Sequence, residues 1–223
     1  MSGPLSPQTR QFLKTAAAGA AWMAFAPAHA QGGPREGVEY RVVQPTQQTD
    51  SGAKLEVLEF FWYGCPHCFS LEPTLRDWAK KLPADVAFRK VHVALGPAWE
   101  PHQQLYYTLE ALGKAAALDE KVFTALHVDR ISLDKPDRMA DFLAKHGIER
   151  KAFLDTYDSF AVRTRKQKAS QQARAWGLDG VPANTAVALR TNGAFVESFL
   201  VGLNHEFGRE LLWREFPAPL TAT

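Results

Sequence analysis

Leu55-Glu56-Val57-Leu58-Glu59-Phe60-Phe61-Trp62-Tyr63-Gly64-Cys65-Pro66-His67-Cys68 is the stretch that decides the fold. Its first ten residues are apolar apart from two glutamates and read as a buried strand ending in a turn. The last four hold the chain's only two cysteines. A strand that runs straight into C-x-x-C places two sulfurs at the start of the next helix. With Cys65 as N-cap, Pro66 falls at N1, where its missing N–H costs nothing, and Cys68 falls at N3. A thiolate on Cys65 then faces the free N–H groups and positive dipole end of that helix. Thiolate is the reactive form of sulfur.

Three quieter readings compete with a redox centre. A structural disulfide across so short a loop removes only about 2 kcal/mol of denatured-state entropy, a small return for the only cysteine pair. A closed zinc site needs four ligands, and His67 lies between the thiols rather than beside them; no second C-x-x-C or H-x3-H pair completes a set. Two inert buried thiols sit poorly with a Pro-His insert at a helix start. Thiol–disulfide chemistry is the leading reading, and the zinc and structural roles stay open at this point.

Residues 1–30 contain Arg10 and Lys14, no acidic residue, and an apolar stretch from Ala16 to Ala26. Ala28-His29-Ala30 offers small residues where a signal peptidase reads, so an export signal cleaved after about Ala30 is expected. The apolar run is too short to span a bilayer. Export places the cysteines in an oxidising compartment, where a C-x-x-C makes or rearranges disulfides. Removing the signal takes two of the 26 basic residues and none of the 24 acidic ones, so the mature formal charge is 24 − 24 = 0. That balance gives no ground for a nucleic-acid partner, and no lysine-rich tail suggests a membrane surface. With 46% hydrophobic residues, the chain builds one core with room for an inserted subdomain.

Val38–Val43 reads as a weak first strand and Leu55–Tyr63 as the main one. A helix is expected from Pro66 to about Leu82, with Leu71, Leu75, Trp78, Ala79 and Leu82 on one face, followed by a strand over Val86–Val93. Strand, helix, strand in this order is a βαβ unit with a parallel pair. From about Pro97 to Trp176 the periodicity is helical. Leu105, Leu109, Leu112 and Ala116 form one stripe, and Val122, Phe123 and Leu126 another. Met139, Phe142 and Leu143 mark a third helix with Asp134 as its cap and Gly147 as its stop. Phe153, Tyr157 and Phe160 begin a long helix whose other face carries Arg163, Arg165, Lys166, Lys168 and Arg174, read as a solvated face. Sheet signals return at Thr185–Arg190, an Asn192-Gly193 turn and Ala194–Val201. Asn204 can cap a last helix bearing Phe207, Leu211, Leu212 and Phe216. The expectation is α/β, with a helical block inserted into a discontinuous sheet domain.

Leu58 to Cys68 resembles the active-site strand and helix start of the DsbA family, bacterial periplasmic thiol:disulfide oxidoreductases of the thioredoxin-like superfamily. Gly180-Val181-Pro182-Ala183 resembles that family's second signature, a loop carrying a cis-proline beside the catalytic pair. Lys90-Val91-His92-Val93, the exported amino terminus and the helical insertion also match, so the resemblance spans essentially the whole mature chain. It implies a thioredoxin-like domain over residues 31–96 and 164–223, with an inserted helical domain over 97–163. One departure is the segment Asn184 to Thr191, longer and more polar at its start than the family's usual strand and turn.

The resemblance further implies that Cys65 is an exposed nucleophile and Cys68 a buried resolving thiol. The enzyme's disulfide passes to newly exported proteins through a mixed disulfide at Cys65, with no cofactor beyond the Cys65–Cys68 pair. His67 is placed to tune Cys65 by donating or carrying charge, with Pro66 beside it. Glu59 alternates with Phe61 and Tyr63 on one strand face, which points to burial; in the family, a glutamate there helps move protons near a lysine matching Lys90. His92 reads as a packed strand histidine. Val181 would pair through its backbone with a substrate strand beside cis-Pro182, although an X-Pro bond is cis in only about one case in twenty. Trp62, Tyr63, Trp99 and Trp176 offer further apolar surface, most aromatics being core. The implied partners are unfolded or reduced exported proteins and a quinone-linked membrane oxidase of the DsbB type, and a monomer is expected. A periplasmic reductase or isomerase, or a non-catalytic peptide-binding chaperone, are the alternatives.

Overall fold

The computed structural model describes residues 40–189 and 195–202; for 40–41, 185–189 and 195–202 only the backbone path is described. The expected signal peptide, the Asn192-Gly193 turn and the helix after Asn204 lie outside these residues.

Five strands form one sheet: β1 (Tyr40–Val42), β2 (Leu55–Phe61), β3 (Val86–His92), β4 (Ala183–Leu189) and β5 (Phe195–Gly202), in the order β1-β5-β4-β2-β3. β2 runs parallel to β3 and antiparallel to β4, while β5 pairs antiparallel with both β4 and β1. The near-continuous apolar run of β2 follows from this placement, because a strand with neighbours on both edges and layers on both faces meets no water. Six of its seven residues are buried. Asn184 to Leu189 lies between β2 and β5 rather than at a sheet edge, so the longer segment is a central strand.

Helix α1 (Pro66–Ala79) crosses from β2 to β3, completing the expected βαβ unit. Leu75 and Trp78 pack on Val57, with Leu71, Ala79, Leu82 and Phe88 around them. The helix stops at Ala79, but Leu82 keeps its place in the apolar cluster beyond the end. Between β3 and β4 lie a short 3-10 turn (Pro97–Trp99) and helices α2 (Glu100–Ala111), α3 (Ala115–His127), α4 (Pro136–Ala144), α5 (Arg150–Tyr157) and α6 (Phe160–Ala175). They build the larger core around Leu105, Leu109, Val122, Phe123, Met139, Phe153 and Trp176 against Leu58, Phe60 and Phe61 of β2.

Three expectations are corrected. The stripe from Leu105 to Ala116 is broken at Gly113, whose φ of 68° belongs to the left-handed region that ends helices; Ala116 lies on α3 and is exposed. Asp134 does not cap α4: the N-cap is Lys135 with Pro136 after it, and Asp134 takes hydrogen bonds from Ser132 and Arg138. The long helix from Phe153 is two helices. Ser159 caps α6 by accepting from the Val162 N–H at 3.3 Å, and Phe160 stands 77% exposed instead of joining the core stripe. Gly147, with φ 81°, ends α4 as expected. Helix α6 runs through position 163/164, where the inserted domain was expected to end.

Candidate active site

Trp62, Tyr63 and Gly64 turn the chain from β2 into α1, and the turn is fastened from both sides. His92 at the end of β3 accepts the Tyr63 N–H through Nε2 at 3.1 Å, and His127 Nε2 lies 2.8 Å from the Tyr63 carbonyl. His92 is fully buried, and burial pushes its pKa well below the usual imidazole range, so it serves the turn as a neutral acceptor. The Trp62 indole stacks on Trp99 at 4.3 Å between ring centroids and 3° between planes. A Cβ on Gly64 would overlap that indole. Tyr63 and Trp176, at 0% and 2% exposure, are core residues and offer no outer surface.

Cys65 is the N-cap of α1, in extended conformation (φ −85°, ψ 118°), with Pro66 at N1. Its N–H donates to Trp62 O at 3.0 Å. Both cysteines are free thiols. Cys68 has no exposure, as expected; Cys65 is only 7% exposed, less open than the expected surface nucleophile. The loop before β4 covers it: Cys65 Sγ donates to the Val181 carbonyl at 3.5 Å, and the Val181–Pro182 peptide is cis. The two signatures, more than a hundred residues apart in sequence, therefore meet at one sulfur.

The two thiols are driven in opposite directions. A hydrogen bond from the Cys68 thiol to the Cys65 sulfur is the largest influence on Cys65; burial opposes it, and the backbone N–H groups of Cys68 and His67 and the His67 charge assist it. The result is a pKa lowered from an ordinary 9.0 to about 6. The helix end thus helps, but the neighbouring thiol contributes most. Burial, and then the bond to Cys65, push Cys68 far up. Pro66 and His67 are exposed at the mouth, and His67 acts through both its backbone and its charge.

Around Lys90 lies a cluster that the sequence reading located only in part. Glu59 is 0% exposed, confirming its inward face. Lys90 Nζ stands 3.5 Å from Glu59 Oε2 and pairs more closely with Glu72 of α1 and Asp119 of α3. Tyr63 Oη donates to Asp119 Oδ1 at 2.6 Å. Burial raises Glu59 to about 8 in spite of Lys90, with Glu72 and Asp119 adding to the rise. Burial alone would lower Lys90, but the charges of Glu59, Asp119 and Glu72 carry it above the ordinary lysine value. Glu72 and Asp119 were missed, although each sits on an apolar stripe: Cys68, Glu72 and Leu75 at spacings of four and three, and Asp119, Val122, Phe123 and Leu126 at three, four and seven. An acid on a core-facing stripe is the signal that would have found them.

A family model described as a DSBA-like thioredoxin domain matches residues 56–202, from the main strand to the last described one. The chain belongs to the DsbA-like thioredoxin family. The thiol:disulfide interchange protein DsbA of Bordetella parapertussis is 45% identical over 172 residues, covering 77% of this chain and 80% of its own. That of Azotobacter vinelandii is 48% identical over 129 residues, 58% of this chain and 60% of its own. A crystal structure of a Pseudomonas aeruginosa DsbA variant superposes with a TM-score of 0.74 at 35% identity, covering 82% of this chain and 94% of that one. This DsbA-like chain is a thiol:disulfide oxidoreductase on the thioredoxin-like fold, with Cys65-Pro66-His67-Cys68 as its C-x-x-C.

Proposed function

We propose that the chain is a periplasmic dithiol oxidase that gives its Cys65–Cys68 disulfide to newly exported proteins. The observation that carries this reading is the geometry of the pair: Cys65 heads α1 against the cis Val181–Pro182 loop, with Cys68 fully buried one turn behind it. A substrate thiolate attacks Cys65 Sγ; the new substrate–Cys65 bond forms as the Cys65–Cys68 bond breaks, and Cys68 leaves and takes up a proton. A second substrate thiolate then attacks the substrate sulfur of the mixed disulfide, and Cys65 departs as the stabilised thiolate. The Val181 backbone beside Pro182 lies where an extended substrate strand would pair.

The lowered Cys65 pKa favours the reduced enzyme. At pH 7, a shift from 9.0 to about 6 stabilises the dithiol by at most about 1.4 kcal/mol, or about 30 mV for two electrons. Water at the mouth screens part of this. The centre needs no cofactor beyond its own disulfide. A quinone-linked membrane oxidase of the DsbB type would restore it, and residues 1–30 would direct export and be cleaved after about Ala30, which sequencing the amino terminus of the exported protein tests.

The deciding experiment refolds a reduced, disulfide-containing protein with the oxidised chain and with Cys65→Ser. Disulfide formation should require Cys65; equal yields with the variant would favour a non-catalytic chaperone. Equilibration with glutathione should place the potential well above the roughly −270 mV of thioredoxin, and a value near that figure would favour a reductase.

A further inference from the structure

His127, the last residue of α3, touches the chain on both sides of the C-P-H-C segment. Its Nε2 lies 2.8 Å from the Tyr63 carbonyl, just before Cys65. Its ring lies on that of Phe69, the residue after Cys68, at 4.9 Å between centroids and 8° between planes. Between these holds the backbone makes a turn and then a helical step: the Cys65 N–H donates to Trp62 O at 3.0 Å and the Phe69 N–H to Cys65 O at 3.1 Å. A carbonyl oxygen only accepts, so His127 Nε2 carries the proton. His92, on the other side, takes the Tyr63 N–H on its Nε2, and its own proton is therefore on Nδ1. Two histidines of opposite tautomer thus hold both backbone polar groups of Tyr63, inside the turn that closes on Cys65. Tyr63 is fully buried, so water is a poor substitute for the His127 donor.

We propose that His127 is a positioning residue for the redox reaction: it pins the turn that leads into Cys65 to the first turn of α1, and so keeps the Cys65 sulfur over the helix start and against the Val181 carbonyl. The inference rests on the oxidase reading and deepens it. Cys65 Sγ reaches Val181 O at 3.5 Å, and its thiolate draws on the N–H groups of His67 and Cys68 and on the Cys68 thiol. Those donors belong to α1, whereas the direction in which Cys65 enters the helix is set by the Tyr63–Gly64 peptide. Without the His127 bond that peptide is free to rotate, and the sulfur loses its alignment with the donors. Hydrogen bonds weaken steeply as their angle opens, and those to an anion have the most to lose. His127 belongs to α3, so the helical segment reaches the catalytic sulfurs through one hydrogen bond and one ring stack.

The test separates the ring from its donor. His127→Phe keeps the stack on Phe69 and removes the bond to Tyr63, while His127→Gln keeps an N–H donor at the same reach and removes the stack. Wild type and both variants, in the reduced form, are titrated by the ultraviolet absorbance of the Cys65 thiolate, and their equilibria with glutathione are measured at about pH 7. Wild type should show a midpoint near 6. His127→Phe should raise it by about one unit, which lowers the equilibrium constant for reduction by glutathione about fivefold. His127→Gln should return both to wild type. A folded His127→Phe with the wild-type midpoint and constant overturns the proposal, and so does a His127→Gln that matches the Phe variant. Should His127→Phe not fold, nitrogen-15 NMR of the wild-type imidazole decides. A neutral His127 with its proton on Nδ1 has no donor for Tyr63 O and overturns the proposal; Nε2–H, with a His127→Gln midpoint like that of wild type, upholds it. Failure of the oxidase reading would appear instead in the Cys65→Ser refolding assay, and the thiol titration depends on no substrate.

Discussion

The depressed Cys65 pKa has a consequence for stability that can be measured without any substrate. Reduced protein carries the thiolate in its folded state, whereas oxidised protein has none. A group whose folded pKa lies below its unfolded one adds stability that is fully present above the unfolded value and lost as pH falls through the folded value. For a thiol moving from 9.0 to about 6, the window opens near the lower figure and closes near the higher. The contribution is below about 0.1 kcal/mol at about pH 5, and at most about 1.4 at about pH 7 and about 2.7 at about pH 8. Solvent at the mouth reduces these figures. Cys68, pushed up by burial, is protonated in the folded state throughout this range and adds almost nothing below about pH 8. Against this stands the crosslink, worth about 2 kcal/mol to the oxidised form whatever the pH. The oxidised protein should therefore be the more stable form in acid, and its lead should shrink and reverse on the alkaline side of neutrality. Thermal unfolding of the fully reduced and fully oxidised forms, followed by circular dichroism from about pH 5 to about pH 8, reads the difference directly. Its change should reach about 5–10 °C for a chain of this size. Groups that titrate alike in both forms cancel. A difference that stays constant across the range would show that Cys65 ionises as an ordinary thiol and would refute the reasoning.

Two further outcomes follow from the buried cluster. Lys90→Met leaves Glu59, Glu72 and Asp119 without their cation and should cost about 3–5 kcal/mol in urea denaturation; a loss below about 1 kcal/mol would mean that the carboxyls are already neutral or hydrated. Glu59, raised from 4.5 to about 8, contributes stability that is present below the lower value and lost as pH rises to the higher one. Glu59→Gln should thus gain on wild type steadily between about pH 5 and about pH 8, and parallel stability curves for the two proteins would place the folded Glu59 in the ordinary range.

Much of the site could be read from residues alone because its parts are local. Cys65 at the N-cap, Pro66 at N1 and the inward Glu59 all follow from a two-residue strand period meeting a helix start. The meeting of Cys65 with Val181 joins segments that no periodicity connects; family resemblance placed Pro182 there. Asp119 and Glu72 went unnoticed because attention to apolar stripes passes over an acid within them. The helical segment was legible in type and not in its breaks. Gly113 and Ser159 each divide what reads as a continuous stripe, one through a left-handed backbone and the other through a hydroxyl that accepts the Val162 N–H. Such local chemistry overrides the count of threes and fours.

Positions 62 and 64 behave as one unit of inheritance. The Trp62 ring lies flat on Trp99 and occupies the volume that any side chain at position 64 would need. Glycine there is therefore the footprint of the tryptophan rather than a choice made for backbone freedom. A directed-evolution library that randomises residue 64 with Trp62 held constant should return glycine, while one that varies both together opens a second set of solutions, with a smaller residue at 62 and a re-aimed Trp99.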